Sequence, residues 1–221
     1  MTDLPGAAEL CDATVRDGID AATTWLYRRV VDSPLHGPFI RRIDEACARP
    51  APPAWNRDAR LAIVPGASYK EAPDTDADGR VVREVAEGLG LATDLVPIAT
   101  TGSVRQNART LCDWLLAQPE RPLLLASLSK GGPDIKLALA EPDAERAFAR
   151  VAGWINLCGI LDGTPVADLL LSRRPDAVLL RVFLRLRGRS PAFLRDLRYG
   201  PGGLQDVELR LPPHIQLISI V

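Results

Sequence analysis

A short apolar run, Leu123-Leu124-Leu125-Ala126, stops at Ser127-Leu128-Ser129-Lys130-Gly131-Gly132 and gives way to a helical pattern. A serine at a sharp strand-to-helix turn holds its hydroxyl clear of the backbone, where it can attack an acyl carbon. Such a turn needs small residues two before and two after the serine, because strand and helix approach closely there. Ser127 and Gly131 fill those places, with Ser127 standing where glycine is usual. The free N–H groups and positive dipole end of the following helix favour a developing oxyanion. Ser129 is therefore the candidate nucleophile. Ser127 to Lys130 also fits S-x-x-K, a serine–lysine pattern in which the two residues lie one helical turn apart. No S-D-N or K-T-G companion accompanies it, and a strand leads directly into the motif, so the turn is the better reading. Lys130 should then face solvent or pair with a nearby acid.

A serine nucleophile needs a base, and the chain has only two histidines, His36 and His214. His36, in Pro34-Leu35-His36-Gly37, precedes the strand-forming region and reads as a loop histidine at a helix start. His214 opens the last predicted strand. The amino end of a parallel strand lies opposite the carboxyl ends where sites form. Asp162, in Gly159-Ile160-Leu161-Asp162-Gly163, follows the fourth predicted strand at the correct end. It is either a reserve catalytic acid or a turn-forming aspartate before glycine.

These residues need a scaffold. From Arg60 onward, short apolar runs alternate with amphipathic stretches. The runs 61–64, 94–99, 123–126, 151–157 and 214–221 predict five strands. Val81, Val82, Val85, Ala86 and Leu89 trace one helix face between the first two. Val104, Ala108, Leu111, Cys112, Leu115 and Leu116 trace another, and Ile135, Leu137 and Leu139 a third. The rhythm predicts an α/β fold with a mostly parallel sheet flanked by helices and buried on both faces. Residues 1 to about 49 read as helical and end at Pro50, Pro52 and Pro53. The predicted domains are a helical N-terminal extension with its linker, 1–59, and a core, 60–221. Within the core, about 160–210 breaks the strand–helix rhythm as a helical cap insertion. Its stretch 173–198 carries eight arginines against Asp176 and Asp196.

The elbow Ala126-Ser127-Leu128-Ser129-Lys130-Gly131-Gly132 resembles that of α/β-hydrolase-fold esterases and lipases, particularly variants carrying Ser-Lys-Gly-Gly. The resemblance runs over residues 60 to 221 in element order. It implies that Ser129 attacks a carboxylic ester to form an acyl-serine, and that the Lys130 backbone N–H is one oxyanion donor. It places the second donor in the loop Pro65-Gly66-Ala67-Ser68. Pro65 has no N–H, which leaves Ala67 or Ser68. The family's common His-Gly pair is absent from that loop. In such enzymes the acid and histidine follow later strands, so the expectation is a chain that is C-terminally incomplete and lacks both. The implied substrate is a small acyl ester or lipid-like molecule, with no cofactor and no metal. The alternative is a non-catalytic interaction protein of the same fold, using the basic, apolar 173–198 stretch.

Bulk properties narrow the rest. Hydrophobic residues make up 47% of the 221 and charged residues 25%, ordinary values for a globular protein. A net charge of −1 gives no field to recruit nucleic acid. No secretory signal or membrane-spanning run is seen, which predicts a cytoplasmic protein. No G-x-G-x-x-G follows a strand, and no metal-ligand spacing occurs. Cys11, Cys47, Cys112 and Cys158 read as small buried hydrophobes, with a Cys11–Cys47 bridge left open.

Overall fold

The chain divides into two compact units, Met1–Pro53 and Ala54–Val221. The computed structural model describes residues 4–48, 58–172, 175, 178–179, 182, 192–200 and 202–220. In the first unit, α1 (Ala7–Asp17), α2 (Ile19–Asp32) and α3 (Gly37–Ala48) follow one another. Gly18 breaks α1 from α2 at φ +87°, a backbone state that side chains resist. Among the described residues of this unit the buried apolar ones are the small Ala13 and Ala22, while Val15, Ile19, Tyr27 and Leu35 face outward.

The second unit is built on five parallel strands. These are β1 (Arg60–Val64), β2 (Ala92–Leu95), β3 (Leu123–Leu128), β4 (Val151–Leu157) and β5 (Gln216–Ile220), in the order β2-β1-β3-β4-β5. Helices make the crossovers: α4 (Arg80–Gly88), then α5 (Val104–Leu116), then α6 (Gly131–Ala138) with α7 (Ala144–Ala147). Between β4 and β5 lie α8 (Pro165–Leu171) and α9 (Ala192–Asp196). The alternation of β1 sends its side chains to two cores. Ala62 and Val64 join Leu111, Leu115, Leu125, Ile135 and Trp154, while Leu61 and Ile63 join Ala86, Leu91 and Ala126. Burial on both faces explains why the strands read as continuous apolar runs.

From β1 the chain steps to one side for β2, then returns across β1 to place β3 on the other. The switch point therefore lies between β1 and β3, where ligands bind outside the carboxyl ends of an open parallel sheet. Val64 pairs with Ser127 at that end.

The strand bounds differ from the sequence expectation at β3, which runs on to Leu128, and more instructively at β2 and β5. β2 ends at Leu95 rather than running to Ala99. Val96 N–H still reaches Ile63 O, but the next donor on that side, Ile98 N–H, turns back onto Val96 O at 2.8 Å. β5 begins at Gln216 because the Ile215 N–H is taken by Pro212 O in a turn. In the predicted cap, the Thr164 N–H bonds Leu197 O, and Asp168 accepts from Arg198 Nε at 2.8 Å and Tyr199 N–H at 2.9 Å. These two donors hold the Asp168 carboxyl below its ordinary range. The basic apolar stretch 173–198 falls largely outside the described residues, so the interaction reading built on it is untouched by the structure. Among the described residues no helix is long and apolar enough to cross a membrane.

Among the described cysteines the expectation of burial holds for Cys112 alone, whose Sγ lies 3.5 Å from Ala138 O. Burial pushes its thiol up to about 11, with Glu141 adding to the effect. Cys11 and Cys158 are exposed free thiols, and the Cys47 side chain lies outside the described residues. Neither Cys11 nor Cys158 lies on the apolar stripe of a helix or strand that is covered by the core.

Candidate active site

Ser129 stands at the switch point. Its φ is +48°, a left-handed value that costs a serine about 1–3 kcal/mol and needs outside support. The support is visible. Ser129 N–H donates to Leu157 O at 3.1 Å, and Ser129 O accepts from Gly132 N–H at 3.2 Å. The serine is exposed although Ser127 and Lys130 beside it are buried. Gly131 explains the tight turn: a Cβ there would lie 2.2 Å from Val64 O. A Cβ on Gly132 would lie 2.7 Å from Asn156 Oδ1.

Ser127, in the place usually held by glycine, has a role that the sequence did not reveal. Its Oγ donates to Asn156 Oδ1 at 2.9 Å and accepts from Trp154 Nε1 at 2.8 Å. Asn156 Nδ2 then donates to Ser219 Oγ at 3.0 Å. The back of the turn is thus tied by side chains across β3, β4 and β5.

The loop after β1 faces the elbow; a Cβ on Gly66 would lie 3.4 Å from Leu128 O. Two of its N–H groups are taken. Gly66 donates to Ala77 O at 2.7 Å, and Ser68 donates to Thr100 O at 3.2 Å. Among the described residues, the N–H groups of Ala67 and Lys130 have no hydrogen-bond acceptor. Of the pair Ala67 and Ser68 that the sequence left open, Ala67 is the one with a free donor.

The Lys130 side chain turns inward. Its Nζ bonds Asp134 Oδ1 at 3.0 Å and Oδ2 at 2.9 Å, with both side chains out of solvent. Asp134 Oδ2 also accepts from Asn107 Nδ2 at 3.0 Å. Burial pushes the Asp134 carboxyl up to about 6, against the downward pull of Lys130 and Asn107. Of Lys130's two expected positions, solvent is excluded and the acid partner is Asp134, one helical turn on. That i, i+4 spacing was readable; the contribution of Asn107, from another helix, was not.

Asp162 lies on the loop after β4, at the carboxyl end of the sheet as expected. Its Oδ1 accepts from Lys136 Nζ at 2.9 Å, and that buried ammonium also bonds Leu161 O and Leu204 O. Gly163 follows at φ +89°, and its N–H closes a turn onto Ile160 O. His214 sits at the amino edge, with Nε2 at 3.2 Å from Phe148 O just before β4. His36 belongs to the first unit. The structure thus brings together Ser129, Lys130, Ala67 and Ser68, leaves Asp162 on a neighbouring loop, and sets His214 at the far edge. Among the described residues no three His, Cys, Asp or Glu side chains gather to hold a metal ion.

No protein-family model matches this chain, and no curated protein does. Solved structures match in fold. A metagenomic carboxyl esterase aligns with 77% of this chain and 52% of its own, at TM-score 0.52 and 24% identity. A Bacillus licheniformis lipase in its mature form aligns with 77% of this chain and 68% of its own, at TM-score 0.57 and 18% identity. The fold is of the α/β-hydrolase type. This chain spans about half the length of the first of those proteins. Identities this low carry the α/β-hydrolase fold and not its chemistry, which rests on the residues at the switch point.

Proposed function

We propose that this chain carries the nucleophile and oxyanion hole of a serine hydrolase acting on carboxylic esters. The observation that carries the reading is an exposed Ser129 at φ +48° after β3, with unpaired N–H groups on the adjacent Lys130 and on Ala67 in the loop after β1. Ser129 Oγ forms a bond to the acyl carbon, and the carbonyl electron pair moves onto oxygen. The N–H groups of Lys130 and Ala67 hold that oxyanion, with the N-terminus of α6 behind it. Collapse expels the alcohol and leaves an acyl-serine, which water hydrolyses to the acid. Ser68 supports the loop by its bond to Thr100 O rather than donating to the oxyanion. Asp162, at the carboxyl edge of the sheet and paired with Lys136, is kept as the reserve acid. The serine proton passes to a general base and from it to the departing alcohol oxygen, a role that His214 at the other edge does not fill. The substrates that fit are small acyl esters or lipid-like esters.

Labelling with a fluorophosphonate tests this directly. The tryptic peptide containing Ser129 should gain the probe mass, and a Ser129→Ala variant should not. A folded sample that leaves Ser129 unlabelled and turns over no p-nitrophenyl ester overturns the reading.

A further inference from the structure

Two features of the elbow region remain unexplained by the proposed chemistry: a fully buried Lys130–Asp134 ion pair, and a buried Asn107 wedged against it. Lys130, Asp134 and Asn107 are 1%, 0% and 1% exposed. A buried ion pair is a poor device for stability, since desolvation offsets most of its attraction. Apolar side chains of similar volume would fill the same space at no electrostatic cost. What the pair does have is direction, and its bonds lead out of the elbow.

Asn107 uses its amide on two sides. Nδ2 donates to Asp134 Oδ2 at 3.0 Å and to Ala99 O at 3.0 Å, while Oδ1 accepts from Ala99 N–H at 3.1 Å. Ala99 is thereby clamped through both of its backbone groups. Gly102 leaves the room for this: a Cβ there would lie 2.9 Å from Asn107 Oδ1. The residues flanking Ala99 hold the other loop. Thr100 O accepts Ser68 N–H at 3.2 Å, and Ile98 O accepts Tyr69 Oη at 3.0 Å. A continuous polar chain therefore runs from Lys130 through Asp134 and Asn107 to residues 98–100, and on to Ser68 and Tyr69. Its two ends are the two loops whose N–H groups, on Lys130 and Ala67, are free. Asp196 on α9 faces the same region, accepting Val104 N–H at 2.8 Å at the start of the helix that carries Asn107.

We propose that this buried network fixes the spacing between the two oxyanion donors, making Asp134 and Asn107 positioning residues for the site. The inference rests on the serine hydrolase reading for its catalytic meaning, but its structural content stands apart from activity. The two free N–H groups lie on separate loops after separate strands. Backbone ladder bonds hold β1 to β3, yet none passes directly between Ala67 and Lys130. A network of directional bonds supplies that missing constraint, and preorganised donors are what an oxyanion needs.

Two variants test it by amide NMR and kinetics. Lys130→Met/Asp134→Leu replaces the ion pair with apolar volume, and Asn107→Ala cuts the chain at its middle. The inference expects the core amides of both to stay protected while hydrogen exchange at Ser68 speeds by about tenfold or more. The Ala67 resonance should shift in both, although none of the three substituted residues hydrogen-bonds to it. Where ester turnover is measured, kcat should fall by about tenfold with KM within about twofold, the pattern of a lost transition-state contact. Exchange at Ser68 within about twofold of the parent in both variants overturns the inference. So does exchange that rises equally over all five strands, which would mark a purely structural role. Failure of the hydrolase reading is seen separately, as turnover unchanged by Ser129→Ala, and leaves the exchange result to decide the network.

Discussion

Lysine is rare in this chain and is placed with care. Of 27 basic residues only Lys70, Lys130 and Lys136 are lysines, and two of the three are buried on α6 or at its start. An ammonium is compact and can be enclosed by a few acceptors, whereas a guanidinium needs a planar fork of partners. Lys136 meets three oxygens and Lys130 the two oxygens of one carboxylate. Asp134→Asn keeps the shape of the side chain but cannot ionise. The parent protein should carry a pH signature. The folded carboxyl titrates at about 6, above its ordinary value, so between about pH 4 and 6 the folded state holds a proton that the unfolded chain has released. Asp134's contribution to stability therefore falls as pH rises through that window and is level above it. The difference in urea midpoint between parent and Asp134→Asn, followed from pH 4 to 7, isolates this slope.

At the scale of elements, β3 shows how much can be read from sequence and where the reading stops. The apolar run, the small flanking residues and the helix after them located the turn and Ser129 without any structure. Strand boundaries were less legible, since they depend on single backbone groups: the Ile98 N–H turns back onto Val96 O after β2, and the Pro212 carbonyl claims the Ile215 N–H before β5. The partners of Ser127 were not legible at all. Trp154 and Asn156 lie 27 and 29 residues away and reach it only because β4 pairs with β3 in one particular register. The same holds for Asn107, which lies on the buried stripe of α5 and looks in sequence like a polar interruption. Ser127→Ala would strand the Trp154 indole N–H without its acceptor, at a cost of about 1–3 kcal/mol. Thermal denaturation, with the environment of Trp154 followed by near-ultraviolet circular dichroism, checks this.

For the whole molecule, the sheet separates two edges with different contents. The carboxyl edge holds Ser129, the free N–H groups and Asp162. The amino edge holds His214. Replacing His214 with alanine should leave the rate of fluorophosphonate labelling at Ser129 within about twofold, since the whole length of β5 separates that edge from the site. A change of tenfold would require the ring to act from across the sheet. The enclosure of Lys130 and Lys136 also has a practical side. Lys70 is exposed, its ammonium above the Tyr69 ring at 5.3 Å, and the other two lysines have almost no accessible surface. An amine-acylating reagent applied to the folded protein should modify Lys70 alone among the lysines, giving one side-chain address for a dye or a surface tether. Mass increments at Lys130 and Lys136 should appear only as the protein opens, so the same reagent, read peptide by peptide, serves as a clock for unfolding.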